Sequence, residues 1–364
     1  MRILVVNAGS SSLKLRVLDA DDRLVDSRDL PAPRGPADEA VIAAAVAGFG
    51  RIDAVGHRIV HGGTQYSTPV LIDRQVVDRL RTLVDLAPLH QPTSLAALAL
   101  VSTALPDVPA VACFDTAFHA TLPSAAATYA LPREWRKRWE LRRYGFHGLS
   151  HAYASRRAAE ILGRSPDTLR VVTCHLGAGA SLAAVLGGRS VDTTMGFTPL
   201  DGLVMATRSG SVDPGLVLWL EEHIGMPSAE LAATLEHRSG LLGLAGTADM
   251  RAVIAAAEAA DTDARLALDV YLHRLRAGIA AMAASMDGLD ALVFTGGVGE
   301  HAPAVRAGAA RGLAFLGVDV DPHRNMSPGG DREIGTARAT VRSLVIVARE
   351  DLQIAHEVRG VLGR

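Results

Sequence analysis

Two stretches of the chain carry the same pattern of apolar and polar positions. Residues 2–6 are an apolar run, and from Leu13 to Leu18 apolar and polar residues alternate. A period of two is that of a half-buried strand. Small polar residues fill 7–12 between them, so the spacing predicts a strand, a tight turn and a returning strand. Residues 170–174, 175–181 and 182–186 repeat that order about 168 residues later. The repeat predicts a duplicated domain whose equivalent hairpins face each other. Helical periodicity fills the gaps at 36–48, 73–86 and 92–104. It returns at 151–162, which Gly163 ends, at 213–223, at 228–237, and in two or three helices across 249–286. A strand at 291–294 runs into a glycine turn at 295–300, with a helix expected from about Pro303. A late strand at 341–347 and a terminal helix from Asp351 close the chain. Strands alternating with helices predict an α/β protein, with a domain boundary between Phe118 and Leu149.

Composition narrows this little. Of 364 residues, 49% are hydrophobic and 21% charged, enough for a core in two domains. A formal charge of −2 gives no electrostatic reason to expect nucleic acid or an anionic membrane as partner. The two cysteines, Cys113 and Cys174, sit in or beside apolar runs and read as reduced, buried residues. No signal peptide is expected at the N-terminus, and no span of 18–20 apolar residues is expected. A cytoplasmic protein is the expectation. Lys14 and Lys137 are the only lysines, and neither follows a glycine, which excludes a Walker A loop. Gly177-Ala178-Gly179 lacks the third glycine of a dinucleotide fingerprint.

The candidate chemistry lies at the ends of the predicted strands. The turns at 7–12, 175–181 and 295–299 place small residues and hydroxyls where backbone N–H groups can approach an anion. Arg58 interrupts a strand-like run, which fits either an anion ligand or a structural ion pair. Asp115 follows an apolar run, where a carboxylate either helps hold Mg²⁺ or caps a turn. Arg208 lies in a loop before a helix. Two arginines acting on one phosphoryl or carboxylate group would suit phosphoryl transfer, where catalysis is mostly positioning and charge neutralisation. His147 and His151 have a spacing that zinc could use, but no third ligand or HExxH pattern supports zinc. A histidine donating to a phosphoryl oxygen fits better, and His57, His61 and His151 also fit satisfied core histidines.

A longer series of motifs begins with NAGSSSLK at 7–14, GHRIVHGG at 56–63, FDTAFH at 114–119 and YGFHGLSH at 144–151. HLGAGAS at 175–181, MGFTPLDGL at 195–203 and TRSGSVDP at 207–214 continue it, and FTGGVGE at 294–300 and REDL at 349–352 complete it. Taken together these motifs closely resemble the acetate kinase family. The matches are collinear over almost the whole chain. The resemblance implies two duplicated actin/hexokinase-like (ribonuclease H-like) domains around a nucleotide cleft, in a homodimer. An acyl-substrate and phosphate domain would occupy 1–119, with a helix at about 353–364 returning to it. A nucleotide-binding and dimerisation domain would occupy 120–352.

The resemblance also implies roles. Asn7 and Glu350 would serve the metal, Mg²⁺ or Mn²⁺. Arg58, Asp115, Arg208 and His147 would be catalytic, with Arg208 and His147 stabilising the transition state. Val60, Leu89, Phe146 and Pro199, with Arg58, would hold acetate. Ser12, Lys14, His175, Gly177, Ala178 and Gly179 would bind phosphate. Asp249, Met250, Arg251, Gly296, Gly297, Val298, Gly299, Glu300 and His301 would lie on the nucleotide side. ATP or ADP would be the co-substrate, and transfer to the carboxylate would be direct, with no protein nucleophile. The chain departs from the family's usual pattern at Ala178 and His301, where the family usually has asparagine, and it is shorter between Val17 and Ile52. A propionate kinase, a pyrophosphate-linked relative and a non-catalytic ligand sensor are the alternatives.

Overall fold

Each glycine-tipped hairpin seeds one sheet. The computed structural model describes residues 1–9, 12–33, 38–88 and 90–363. Its contacts divide the chain into two units. One comprises residues 1–120, 146–153 and 349–364, and the other 121–145 and 154–348.

In the first unit the strands are β1 (Ile3–Ala8), β2 (Ser12–Leu18), β3 (Leu24–Pro31), β4 (Ala54–Ile59), β5 (Val70–Leu71) and β6 (Ala110–Phe114). They form one sheet in the order β3-β2-β1-β4-β6-β5. β1, β2 and β3 make an antiparallel meander, β1, β4 and β6 run parallel, and β5 returns antiparallel. Both faces are covered, as a sheet with parallel central strands requires. Leu4, Val6, Leu13, Leu15 and Val17 pack with Ile42 and Val46 of helix Glu39–Ala47 and with Ala97 and Val101 of helix Gln91–Ala104. On the other face Ile3, Val5, Ala54, Val111 and Cys113 meet Ile354, Ala355 and Val358 of helix Glu350–Leu362. Each such large apolar side chain contributes roughly 1.5–3 kcal/mol on burial. This packing is what brings the C-terminal helix back to the N-terminal sheet.

The second unit holds β7 (Arg170–Leu176), β8 (Ala180–Leu186), β9 (Arg189–Thr193), β10 (Ala291–Thr295), β11 (Arg332–Glu333) and β12 (Arg342–Val345). Read from β9, their order is β9-β8-β7-β10-β12-β11. The first three are antiparallel, β7, β10 and β12 are parallel, and β11 is antiparallel. Pairing by pairing this is the first sheet again. The repeated hairpin in the sequence is therefore one visible fragment of a whole repeated sheet.

Several expectations shift. The strands of the second hairpin continue to Leu176 and resume at Ala180, leaving a three-residue turn. Where a glycine turn was expected after β10, Gly296–His301 forms a short helix. The helix expected from His151 starts at Gly148, and the long helical stretch resolves into Met250–Glu258 and Thr262–Ala284. One stretch, Gly240–Glu258, is after all long and apolar enough by length and hydropathy to cross a membrane. It is broken into helices Gly240–Ala245 and Met250–Glu258, and Asp249 caps the second through its side chain.

Candidate active site

The charged cluster of the first unit sits at the C-terminal ends of its parallel strands. Asn7 is the penultimate residue of β1, Arg58 is penultimate in β4, and Asp115 follows β6 directly. Parallel strands in register bring these three ends side by side. Arg58 donates from Nε to Asp115 Oδ1 at 3.0 Å and from Nη2 to Asp115 Oδ2 at 2.6 Å. Its Nη1 donates to Asn7 Oδ1 at 3.0 Å. The Asn7 amide in turn donates to Glu350 Oε2 at 2.8 Å, at the start of helix Glu350–Leu362. Arg58 Nη1 lies 3.8 Å from that same carboxylate oxygen. Four residues spread over 343 positions thus form one network.

The electrostatics of this network are those of a buried ion pair. Burial opposes the charge on Arg58, but Asp115 and Glu350 outweigh it and hold the guanidinium above its ordinary range. Burial pushes the Asp115 carboxyl upward, and Arg58 opposes that shift. With Arg58 held charged, the two-pronged fork is that of an ionised carboxylate. Three of Arg58's five N–H groups are used by Asp115 and Asn7, which leaves two for another oxygen.

Phe146 and His147 are tied to the same strand end. Gly148 N–H donates to the Asp115 carbonyl at 2.9 Å, and a Cβ at Gly148 would lie 2.2 Å from that oxygen. Only glycine allows this approach. His119 Nε2 is 3.0 Å from the Phe146 carbonyl, and its ring is held near pKa 4, chiefly by burial. His147 has φ of 56°, in the left-handed region that a non-glycine residue rarely adopts. Strain of this kind collects at functional sites. Val60 and Phe146 are both buried, whereas Leu89 lies outside the described residues. Ser12 begins β2, and Lys14, exposed, stands opposite Asn7 in the β1–β2 register.

In the second unit a cavity of about 480 Å³ gathers most of the residues expected on the nucleotide side. Gly177 and Ala178 line it from the β7–β8 turn, and Gly297, Val298 and His301 line it from helix Gly296–His301. Asp249, Met250 and Arg251 close it. The open space beside Gly297 is empty of protein within 4 Å of where a Cβ would stand. Arg251 forks onto Asp249 at 2.7 Å, which with the Arg251 backbone N–H holds the carboxyl down at about 2. Glu300 does not line the cavity. Its Oε1 accepts from the N–H groups of Gly296 at 3.0 Å and Ala348 at 2.9 Å. His175 is the penultimate residue of β7, beside Thr295 of β10, and Pro199 lies half-buried in a loop.

Arg208 is also in the second unit. Its Nε lies 3.4 Å from Glu236 Oε1, and its side chain is mostly buried. Burial lowers its pKa, and Glu236 opposes the shift. Gly240, at φ 62°, lets the Arg208 loop pack backbone on backbone: a Cβ there would be 2.2 Å from the Met205 carbonyl and 2.6 Å from that of Arg208.

Sequence reasoning missed Glu236, Tyr271 in the cavity wall, and Arg306 beneath helix Gly296–His301. Glu236 sits beside His237 and Arg238 and reads as a solvated face. Arg306, inside a run of small residues, carried the same signal as Arg58: an arginine in an apolar setting. Among the described residues no three His, Cys, Asp or Glu side chains cluster as a metal cage. Mg²⁺ keeps several waters and takes one or two carboxylates together with substrate phosphates. Glu350 and Asn7 have the oxygen chemistry for that role.

The acetokinase family profile matches residues 43–356. The acetate kinase of Trichormus variabilis is 50% identical over 314 residues, covering 86% of this chain and 77% of that protein. The crystal structure of Porphyromonas gingivalis acetate kinase superposes with a TM-score of 0.92 at 34% identity, covering 99% of both chains. A propionate kinase from Francisella tularensis gives a TM-score of 0.91 at 36% identity, again over 99% of both chains.

Proposed function

The chain belongs to the acetokinase family, phosphotransferases with a carboxyl group as acceptor, and from that premise we propose the following reaction and assignment of residues. Its two units are the duplicated α/β fold of the actin and hexokinase kind, and ATP and ADP are its nucleotide substrates. The reaction is transfer of the ATP γ-phosphoryl group to acetate, giving acetyl phosphate and ADP. The observation that carries it is the Arg58–Asp115–Asn7–Glu350 network.

Acetate is ionised at neutral pH and needs no general base. Its oxygen attacks the γ-phosphorus in line, and the bond from that phosphorus to the β–γ bridging oxygen breaks. No protein nucleophile intervenes. Asp115 fixes the Arg58 guanidinium so that its remaining N–H groups meet the acetate or phosphoryl oxygens. Val60 and Phe146, both buried, meet the methyl group. His147 and Arg208 donate to the transferring phosphoryl as its charge spreads. Glu350 and Asn7 would hold Mg²⁺ directly or through water. A bound Mg²⁺ would neutralise phosphate charge and keep the phosphate chain in place. The 480 Å³ cavity takes the nucleoside of ATP, which favours a nucleotide over pyrophosphate as donor.

Propionate is the second reading, since one methylene in an apolar pocket is worth only roughly 1–3 kcal/mol. The Francisella tularensis neighbour supports keeping it. Trapping of acyl phosphate with hydroxylamine, in the presence of ATP, Mg²⁺ and either acid, tests both. No hydroxamate from either acid would refute the reading, and a larger kcat/KM for propionate would select the second.

We also assign the chain to the cytoplasm, where two buried free cysteines would remain reduced, and to a homodimer. Leu216, Trp219 and Ile224 of helix Pro214–Ile224 are exposed on one face of it, an apolar surface suited to a second copy. Sedimentation of Trp219→Glu as a monomer, beside a dimeric parent, is the expected outcome.

A further inference from the structure

Helix Gly296–His301 is an improbable helix. Gly296, Gly297 and Gly299 supply half of its six residues, and only proline is a poorer helix former than glycine. Something outside the local sequence holds it. Two side chains do so, from opposite ends.

Arg306 holds the C-terminal end. It is fully buried and donates from Nη1 to the carbonyls of Gly299 and Glu300, both at 2.8 Å. Its other donors go to Asn325, from Nε to Oδ1 at 2.7 Å and from Nη2 to the carbonyl at 2.6 Å. All four acceptors are neutral, and burial, with Arg332 nearby, lowers its pKa to about 10. Glu300 holds the N-terminal end. Its side chain is only 12% exposed. One oxygen, Oε1, takes both the Gly296 N–H that opens the helix and the Ala348 N–H beyond β12. Ala348 is two residues before Glu350, whose carboxylate accepts the Asn7 amide.

We propose that Glu300 is a positioning residue that ties the nucleotide-cavity helix to the backbone carrying Glu350, and that it works as a hydrogen-bond acceptor and not as a charge facing the nucleotide. The proposal rests on the reading that the cavity takes ATP and that Glu350 serves the metal. Gly297 and Val298 line the cavity from the helix that Glu300 opens. The same oxygen fixes the main chain just before Glu350. A shift of either end is thereby felt at the other. Both bonds land on one oxygen, and the amide oxygen of glutamine also has two lone pairs. Glu300→Gln can therefore keep the tie, with weaker, uncharged bonds, while Glu300→Ala removes it.

The test compares the parent, Glu300→Gln and Glu300→Ala in the full chain. Acyl phosphate formation is followed while ATP, Mg²⁺ and acetate are varied separately. Amide hydrogen exchange is read at Gly296 and Ala348. For Glu300→Ala, kcat/KM for ATP should fall ~10–100-fold and half-saturating Mg²⁺ should rise several-fold, with KM for acetate within twofold. Both amides should lose protection together. Glu300→Gln should stay within about threefold of the parent in each measurement and keep both amides protected. Glutamine as damaging as alanine would overturn the proposal, because the charge would then be what matters. So would a change in ATP with none in Mg²⁺, or fast exchange at Ala348 in the parent. If Glu300→Ala does not fold, the glutamine kinetics and the parent's exchange still decide. A parent that makes no acyl phosphate would refute the reading beneath the proposal, which is a different result from an active parent with an inactive glutamine variant.

Discussion

Arg58 and Asp115 meet through two parallel N–H···O contacts, 3.0 Å from Nε and 2.6 Å from Nη2, with the carboxylate wholly buried. Removing one partner of a buried pair leaves an uncompensated charge, at a cost of ~3–5 kcal/mol. Asp115→Ala should therefore lower the melting temperature and also lower kcat ~10²-fold or more, because Arg58 loses its fixed direction. Arg58→Lys cannot rebuild the fork and should be nearly as inactive while better folded. Thermal melts alongside steady-state kinetics check this, and a fully active Arg58→Lys would count against it.

Arg208 is partly buried and its ion partner, Glu236, lies at 3.4 Å. Arg208→Ala is expected to reduce kcat ~10²–10³-fold, the usual cost of losing a transition-state charge partner, with an unchanged far-UV circular dichroism spectrum. Gly240→Ala should mimic part of this loss from a distance, since its Cβ would strike the Met205 and Arg208 carbonyls.

Ala178 and His301 both line the 480 Å³ cavity proposed to take the nucleoside. Asparagine, usual in the family at both positions, would add a hydrogen-bonding amide worth about 0.5–1.5 kcal/mol each. Ala178→Asn and His301→Asn should each lower KM for ATP by roughly two- to tenfold and leave KM for acetate alone. Competition between ATP and GTP would show whether base preference moves too.

Three buried histidines make stability depend on pH. Burial holds His57 at about 3 and His61 and His119 at about 4, each lowered from 6.5. Between about pH 6.5 and 4 the unfolded chain binds protons at these sites and the folded chain does not. Stability therefore falls as pH drops through that window, by up to roughly 1.4 kcal/mol per pH unit for each histidine. His57→Gln should flatten the slope of melting temperature against pH by about a third. An unaltered slope would show that His57 is not neutral in the folded state.

Much of this was legible in the sequence, for physical reasons. The hairpins announced themselves because strands alternate in period two and their turns need small residues. Arg58 and Asp115 stood out because charge beside an apolar strand needs an explanation. The link from Asn7 to Glu350 spans 343 positions, and no local pattern encodes it. β3 escaped notice because, as an exposed edge strand, it is Leu-Val-Asp-Ser-Arg-Asp-Leu-Pro, more polar than apolar. Helix Gly296–His301 was read as a turn because its glycines favour one, and the Arg306 and Glu300 contacts that override them come from tertiary structure.

The repeated sheet also allows a comparison of twins. By strand register, Asn7 and Arg58 in the first copy stand where His175 and Thr295 stand in the second. Thr295 is wholly buried. One copy has given that end of its second parallel strand to an ion, and the other keeps a neutral core side chain there. Duplication thus produced two specialists from a single architecture. Substitutions at matching positions should accordingly injure the chain in different currencies, turnover in the first copy and folding in the second.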